Sequence, residues 1–245
     1  VVTEAAGGGA DLVRTALPAL ALVPEVESLT FTGAGAFAGT GNVLPNAING
    51  GAGNDTLDGA GGNDTLSGGL GNDLYLVDSA LDVIIATGGI DTVRSAAPLL
   101  VLAAVVDKLE FAGAGAFNGT GNGLNNVVTG GGSNDSLSGL AGNDTLDGGI
   151  GADTLVGGLG NDTFIVDQVG DVVVEVLGGG IDVVSTALDG LVLAAEVENL
   201  LLTGTALAGS GNGLNNLLTG NGGNNVLSGL AGNDTLDGGL GADTM

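Results

Sequence analysis

The chain of 245 residues carries 28 Asp and Glu against three Lys and Arg, a formal net charge of −25, with neither Cys nor His. Its only bases, Arg14, Arg94 and Lys108, cannot build a surface that tracks phosphates, so nucleic-acid binding and attraction to anionic membranes are excluded. Disulfide staples and Cys- or His-based metal sites are excluded as well, leaving hard carboxylate and carbonyl oxygens as the available ligands.

The apolar share is 44% but the aromatic share only 2%, and 51 residues are Gly, which points to thin stacked layers of Ala, Val, Leu and Ile rather than a globule built on large side chains. The longest uncharged apolar stretch, residues 96–106, is about half of the roughly 20 residues that span a bilayer, so no membrane-spanning helix is expected.

In chain order, Val1-Val-Thr-Glu4 matches Val172-Val-Val-Glu175, so the chain is expected to begin inside a module. Gly8-Gly-Ala-Asp11-Leu-Val-Arg14-Thr and Glu27-Ser-Leu29-Thr-Phe31 follow; their apolar residues alternate at the period of a strand. Gly41-Asn-Val-Leu-Pro-Asn46 then opens a run of nine-residue phrases starting at Gly50, Gly59 and Gly68, with aspartates at Asp55, Asp64 and Asp73. The same succession returns as Gly88-Gly-Ile-Asp91-Thr-Val-Arg94-Ser, Asp107-Lys-Leu109-Glu-Phe111, Gly121-Asn-Gly-Leu-Asn-Asn126 and phrases carrying Asp135, Asp144, Asp153 and Asp162. It returns again as Gly179-Gly-Ile-Asp182-Val-Val-Ser-Thr, Glu198-Asn-Leu200-Leu-Leu202, Gly211-Asn-Gly-Leu-Asn-Asn216 and phrases carrying Asp234 and Asp243.

Three modules of one continuous solenoid are therefore expected: residues 1–78 with a nonapeptide block at 41–76, residues 79–167 with a block at 121–165, and residues 168–245 with a truncated block at 211–245. Insertion in units of nine is what a stacked repeat tolerates. Within a phrase, the Gly-rich first six places expose carbonyls in tight turns. The last three form a short strand whose middle residue points inward: Leu57, Leu66, Tyr75, Leu137, Leu146, Leu155, Phe164, Leu227 and Leu236.

The phrase closely resembles the nonapeptide of the RTX (repeats-in-toxin), or hemolysin-type calcium-binding, family, Gly-Gly-x-Gly-x-Asp followed by a short strand with an apolar centre. The resemblance implies an all-β, elongated parallel β-roll (a β-solenoid of stacked repeats) with little or no helix. In it, two nonapeptides make one coil, and several calcium ions sit between loops eighteen residues apart. On that pairing Asp55 meets Asp73, Asp135 meets Asp153, and Asp144 meets Asp162; the degenerate phrases after Val77 and Val166 add Asp64 with Asp82 and Asp153 with Asp171. The expected calcium ligands are thus Asp55, Asp64, Asp73, Asp82, Asp135, Asp144, Asp153, Asp162, Asp171, Asp234 and Asp243. Asp153 stands in two pairs and Asp162 in one.

The chain departs from the family pattern where Asn46, Asn126, Asn216 and Asn225 take the Asp place, so sites shared with Asp64, Asp144, Asp234 and Asp243 are expected to be weak or empty. Ser133, beside Asp135, and the Leu44-Pro45 pair before Asn46 distort their loops. Asp11, Asp91 and Asp182 could extend the calcium set but read rather as solvated strand-end acids, and Glu25, Glu27, Glu196 and Glu198 offer no acid–base pair. No catalytic constellation stands out, so the chain is read as noncatalytic.

The function implied by the resemblance is a calcium-binding repeat region of a bacterial protein, exported unfolded through the type I secretion machinery and folding outside the cell, where calcium is plentiful. Two other readings are the noncatalytic C-terminal repeat region of a secreted enzyme (lipase, protease or alginate epimerase) and the extender of a calcium-rigidified adhesin.

Overall fold

The computed structural model describes residues 4, 5 and 7–245; Val1 to Thr3, on which the module match at the N-terminus depends, lie outside the described residues. All regular structure in the described residues is strand, in parallel pairs, and the chain winds as a β-solenoid. The expected fold class is what the structure has. No helix of the described residues is long and apolar enough to cross a membrane.

The chain divides into a first compact unit ending at Gly113 and a second from Ala114. In the first, the strands Leu12–Thr15, Ser28–Phe31, Ala47–Ala52, Thr65–Leu70 and Val83–Gly88 form one sheet. Ala19–Ala21, Ala38–Asn42, Thr56–Ala60, Leu74–Val77, Thr92–Ser95 and Lys108–Phe111 stack in the facing one. In the second unit, Asn118–Thr120, Ser136–Ala141, Thr154–Leu159 and Val172–Val174 alternate with Val127–Gly131, Thr145–Gly149, Thr163–Val166 and Val183–Thr186.

Register follows the coil. Leu57 pairs with Tyr75, Leu146 with Phe164 and Leu137 with Leu155, each eighteen residues on. A strand of three to six residues cannot bury an apolar face alone; stacked copies make a continuous column. Leu57, Leu66, Tyr75, Leu137, Leu146, Leu155 and Phe164 have no solvent exposure, Leu227 is buried, and Leu236, in the last coil, is half-buried.

The segments between blocks are strands of the same stack, as their alternation predicts. Leu29 sits on Ile48, and Val93 lies between Tyr75 and Leu109. Their coils differ in length. Thr92 pairs with Lys108 sixteen residues away, whereas Thr163 pairs with Val183 twenty away.

Candidate metal centre

The Gly-rich turns that close each coil carry the acidic residues. Glycine is required there for two separate reasons. Second- and fourth-place glycines such as Gly69 (φ 95°) and Gly71 (φ 124°) adopt left-handed backbone that a Cβ opposes. First-place glycines are needed for close approach instead: a Cβ on Gly50, Gly59, Gly148 or Gly229 would strike the carboxylate of Asp55, Asp64, Asp153 or Asp234, five residues on.

Each sixth-place Asp folds back over its own first Gly and reaches the preceding coil. The Phe37 N–H donates to Asp55 Oδ1, Asp55 N–H to Asp73 Oδ1, and Asp73 N–H to Asp91 Oδ1, each at 2.8 Å. On the other edge of this unit, Asn46 N–H donates to Asp64 Oδ1 at 2.7 Å and Asp64 N–H to Asp82 Oδ1 at 2.9 Å. In the second unit Asp135, Asp153 and Asp171 form one column, at 2.7 and 3.1 Å. Asp144, Asp162 and Asp182 form another, at 2.7 and 2.8 Å. Asp234 and Asp243 accept from Asn216 and Asn225 at 2.9 and 2.8 Å. The structure thus brings together every Asp pair expected from the eighteen-residue spacing.

Two expectations about the outlying acids are overturned. Asp91 and Asp182 are not solvated: each is 1% exposed and continues a column. Asp91 keeps the eighteen-residue step from Asp73 outside the nonapeptide blocks, while Asp182 is shifted to twenty by two extra residues. Asp162 accordingly stands in two pairs, as Asp153 does. Asp11 is half-buried, with a buried Oδ2. The acids Glu27 and Glu198, which carry no role in the sequence reading, accept the N–H of Asp11 and Asp182, and Asp107 accepts that of Asp91.

Fifth-place asparagines, which the sequence reading passed over, reach the opposite way along the stack. Asn54 Oδ1 accepts from Asn72 N–H, Asn72 from Ile90, Asn143 from Asn161, and Asn161 from Ile181, at 2.8 to 2.9 Å. The recurrent Asn-Asp pair therefore ties each coil to both neighbours. Its regular recurrence at the fifth place was the available signal.

Backbone donors satisfy only one oxygen of most of these carboxylates. Among the described residues, every buried side-chain nitrogen or oxygen without a hydrogen-bond partner is a carboxylate oxygen: Oδ2 of Asp11, Asp55, Asp64, Asp73, Asp91, Asp144, Asp153, Asp162 and Asp182, and Oε1 of Glu175. Orphaned buried polar atoms call for an explanation, and stacked anions carrying them call for a cation. Hard carboxylate oxygens beside turn carbonyls, with no nitrogen or sulfur donor, fit calcium. Three column members have a second backbone donor instead: Asp135 Oδ2 accepts from Gly131 N–H at 2.6 Å in the loop that holds Ser133, Asp82 Oδ2 from Ser79 N–H, and Asp171 Oδ2 from the N–H groups of Asp167 and Gln168.

The asparagines in the Asp place leave no such orphan. Asn46 Oδ1 accepts from Asn42 N–H while its amide donates to the carbonyls of Val26 and Glu27. Asn216 does the same with Asn212, Val197 and Glu198. The first Asn of the recurring Gly-Asn-x-Leu-x-Asn phrase adds a second clamp, Asn42 to Val23 and Val26 and Asn212 to Ala194 and Val197.

Burial raises the acids' pKa values. It is the leading cause at Asp55, Asp64, Asp73, Asp153 and Asp162, opposed by the backbone donor each accepts. Burial, with neighbouring anions adding to it, pushes Asp91, Asp144 and Asp182 up to about 6 and Glu175 to about 7.

No curated protein matches the chain. The RTX calcium-binding nonapeptide repeat, by contrast, is found in four copies, at residues 39–75, 120–155, 129–164 and 210–245. These segments hold most of the aspartates that build the columns, and over them the chain carries the RTX calcium-binding nonapeptide repeat.

Proposed function

We propose that this calcium-binding repeat region folds when it binds calcium, and that it acts outside the cell after type I export. The observation that carries the reading is the set of stacked carboxylates, most of them held by a backbone donor on one oxygen and buried without a partner on the other. Asp55, Asp64, Asp73, Asp82, Asp135, Asp144, Asp153, Asp162, Asp171, Asp234 and Asp243 are the proposed ligands, joined by Asp91 and Asp182. Bound calcium supplies positive charge between coils that otherwise repel. The chain's own part is to pre-position the oxygens through the Asn-Asp turns, and to exclude side chains from them by first-place Gly.

The net charge of −25 supports the link to folding and export. At low cytosolic calcium, self-repulsion opposes collapse and keeps the chain threadable. In excess calcium, each site at ten times its dissociation constant adds about 1.4 kcal/mol. Circular dichroism in chelator and then in millimolar calcium tests this: coil should convert to β-structure. A chain equally folded in both, with no calcium bound in equilibrium dialysis, refutes the reading.

A further inference from the structure

We propose that Asp162, Glu175 and Asp182 form a three-carboxylate calcium site whose third ligand, Glu175, and second stacked ligand, Asp182, both lie outside the matched repeats. One carboxylate oxygen from each of the three lies within 4.8 Å of the others. Calcium–oxygen distances of about 2.4 Å allow two oxygens of one ion to lie at most about 4.8 Å apart, so the cluster has the span of a single coordination sphere. The matched repeats end at residue 164 and resume at 210, leaving Glu175 and Asp182 between them.

Each carboxylate is anchored through one oxygen and presents the other. Asp162 Oδ1 accepts from Asp144 N–H at 2.7 Å, and Asp182 Oδ1 from Asp162 N–H at 2.8 Å. Glu175 Oε2 accepts from the N–H groups of Val176 and Gly158 at 3.1 and 3.4 Å. Asp162 Oδ2, Asp182 Oδ2 and Glu175 Oε1 are buried without partners, and both aspartates are 1% exposed. The one ion pair among the described residues is Arg94 with Glu110, so no base neutralises the three. An anionic cluster this enclosed, with no base beside it, favours a bound cation, and all-oxygen ligation selects a hard one.

The chain carries its own comparison. At the corresponding end of the first block Tyr75 stands where Phe164 stands in the second, each in the core strand of its phrase. The Tyr75 hydroxyl accepts from Gly68 N–H at 3.2 Å and donates to the Ile85 carbonyl at 3.4 Å. It thus places a neutral group over the first-place glycine beside Asp73. Phe164 has no hydroxyl, and the space over Gly157 is taken by the Glu175 and Asp162 carboxylates. The two extra residues between Asp162 and Asp182 supply the loop that delivers Glu175.

The proposal rests on the calcium-binding reading, and the experiment separates the two. Bound calcium is counted by native mass spectrometry and equilibrium dialysis on the full chain, on Glu175→Gln and Asp182→Asn, and on Asp237→Asn as an exposed charge control. Glutamine and asparagine keep the oxygen that accepts the backbone N–H, so both site variants retain the coil. Each is expected to bind one ion fewer than the parent, while Asp237→Asn binds the full number. In crystals of the parent grown with terbium, an anomalous peak is expected among the three carboxylates, lost in Glu175→Gln. Unchanged ion count and peak in Glu175→Gln overturn the site while leaving calcium binding intact. Occupancy by magnesium but not calcium overturns the assignment of the ion. A parent chain that binds no calcium refutes the calcium-binding reading itself.

Discussion

Acid should rescue the metal-free chain. Seven Asp-over-Asp contacts join consecutive coils: 55 with 73, 73 with 91, 64 with 82, 135 with 153, 153 with 171, 144 with 162 and 162 with 182. At a strand spacing of about 4.8 Å, two unit charges repel by about 0.9 kcal/mol even with the dielectric constant of water. Seven such pairs oppose folding by about 6 kcal/mol, comparable with the about 5–15 kcal/mol that stabilises a typical domain. Burial raises the folded pKa values of Asp55, Asp64, Asp73, Asp153 and Asp162 above the ordinary 3.8, and takes Asp91, Asp144 and Asp182 up to about 6 and Glu175 to about 7. The folded, calcium-free chain therefore binds more protons than the unfolded one. Its stability must rise as pH falls from about 7 toward 4, the reverse of the usual carboxylate behaviour. With calcium present the sign inverts, because protons compete for the same oxygens. Circular dichroism from pH 7.5 to 4.5 should show β-structure growing on acidification in chelator, while the urea midpoint in saturating calcium falls. A β-content in chelator that is flat, or falls on acidification, refutes the argument.

Two further outcomes follow from the same geometry. Because Asp162 stands between Asp144 and Asp182 as Asp153 stands between Asp135 and Asp171, Asp162→Asn and Asp153→Asn should raise the calcium midpoint of folding by similar amounts; an effect confined to Asp153→Asn would show that the twenty-residue coil does not share an ion. Gly148→Ala, whose Cβ meets the Asp153 carboxylate, should raise that midpoint strongly, whereas Gly132→Ala, with nothing within 4 Å, should leave it within error, and equal effects would break the close-approach account of first-place glycine.

The fold was legible because a nine-residue period with one central apolar residue leaves a short strand no partner except its own copy one coil away. The Asp columns were legible for the same reason wherever the phrase is intact. Asp91 and Asp182 were ranked below the other acids because membership in a column depends on coil length, and neither sits in a nonapeptide block. Asp91 kept the step of eighteen and could have been found by counting; Asp182 could not, since two inserted residues are absorbed in a turn that leaves the strand pairing of Thr163 with Val183 intact. First-place glycine was assigned to backbone freedom from sequence, but its cause is a side chain five residues away. Glu175 had no local signal, because its partners come from other coils.

Under the proposed calcium-linked folding, the asparagine clamps imply an order of assembly. Asn46 and Asn216 fasten the first coil of a block to the spacer strand beneath it through amide bonds to Val26, Glu27, Val197 and Glu198. These junctions add no like-charge repulsion and require no ion. In a stack where every coil contacts only its neighbours, folding can nucleate at any coil and propagate. On the proposed calcium-linked folding, the amide-fastened coils are the ones where it would start with no metal present, as a primer on which the Asp-bearing coils zip shut one ion at a time.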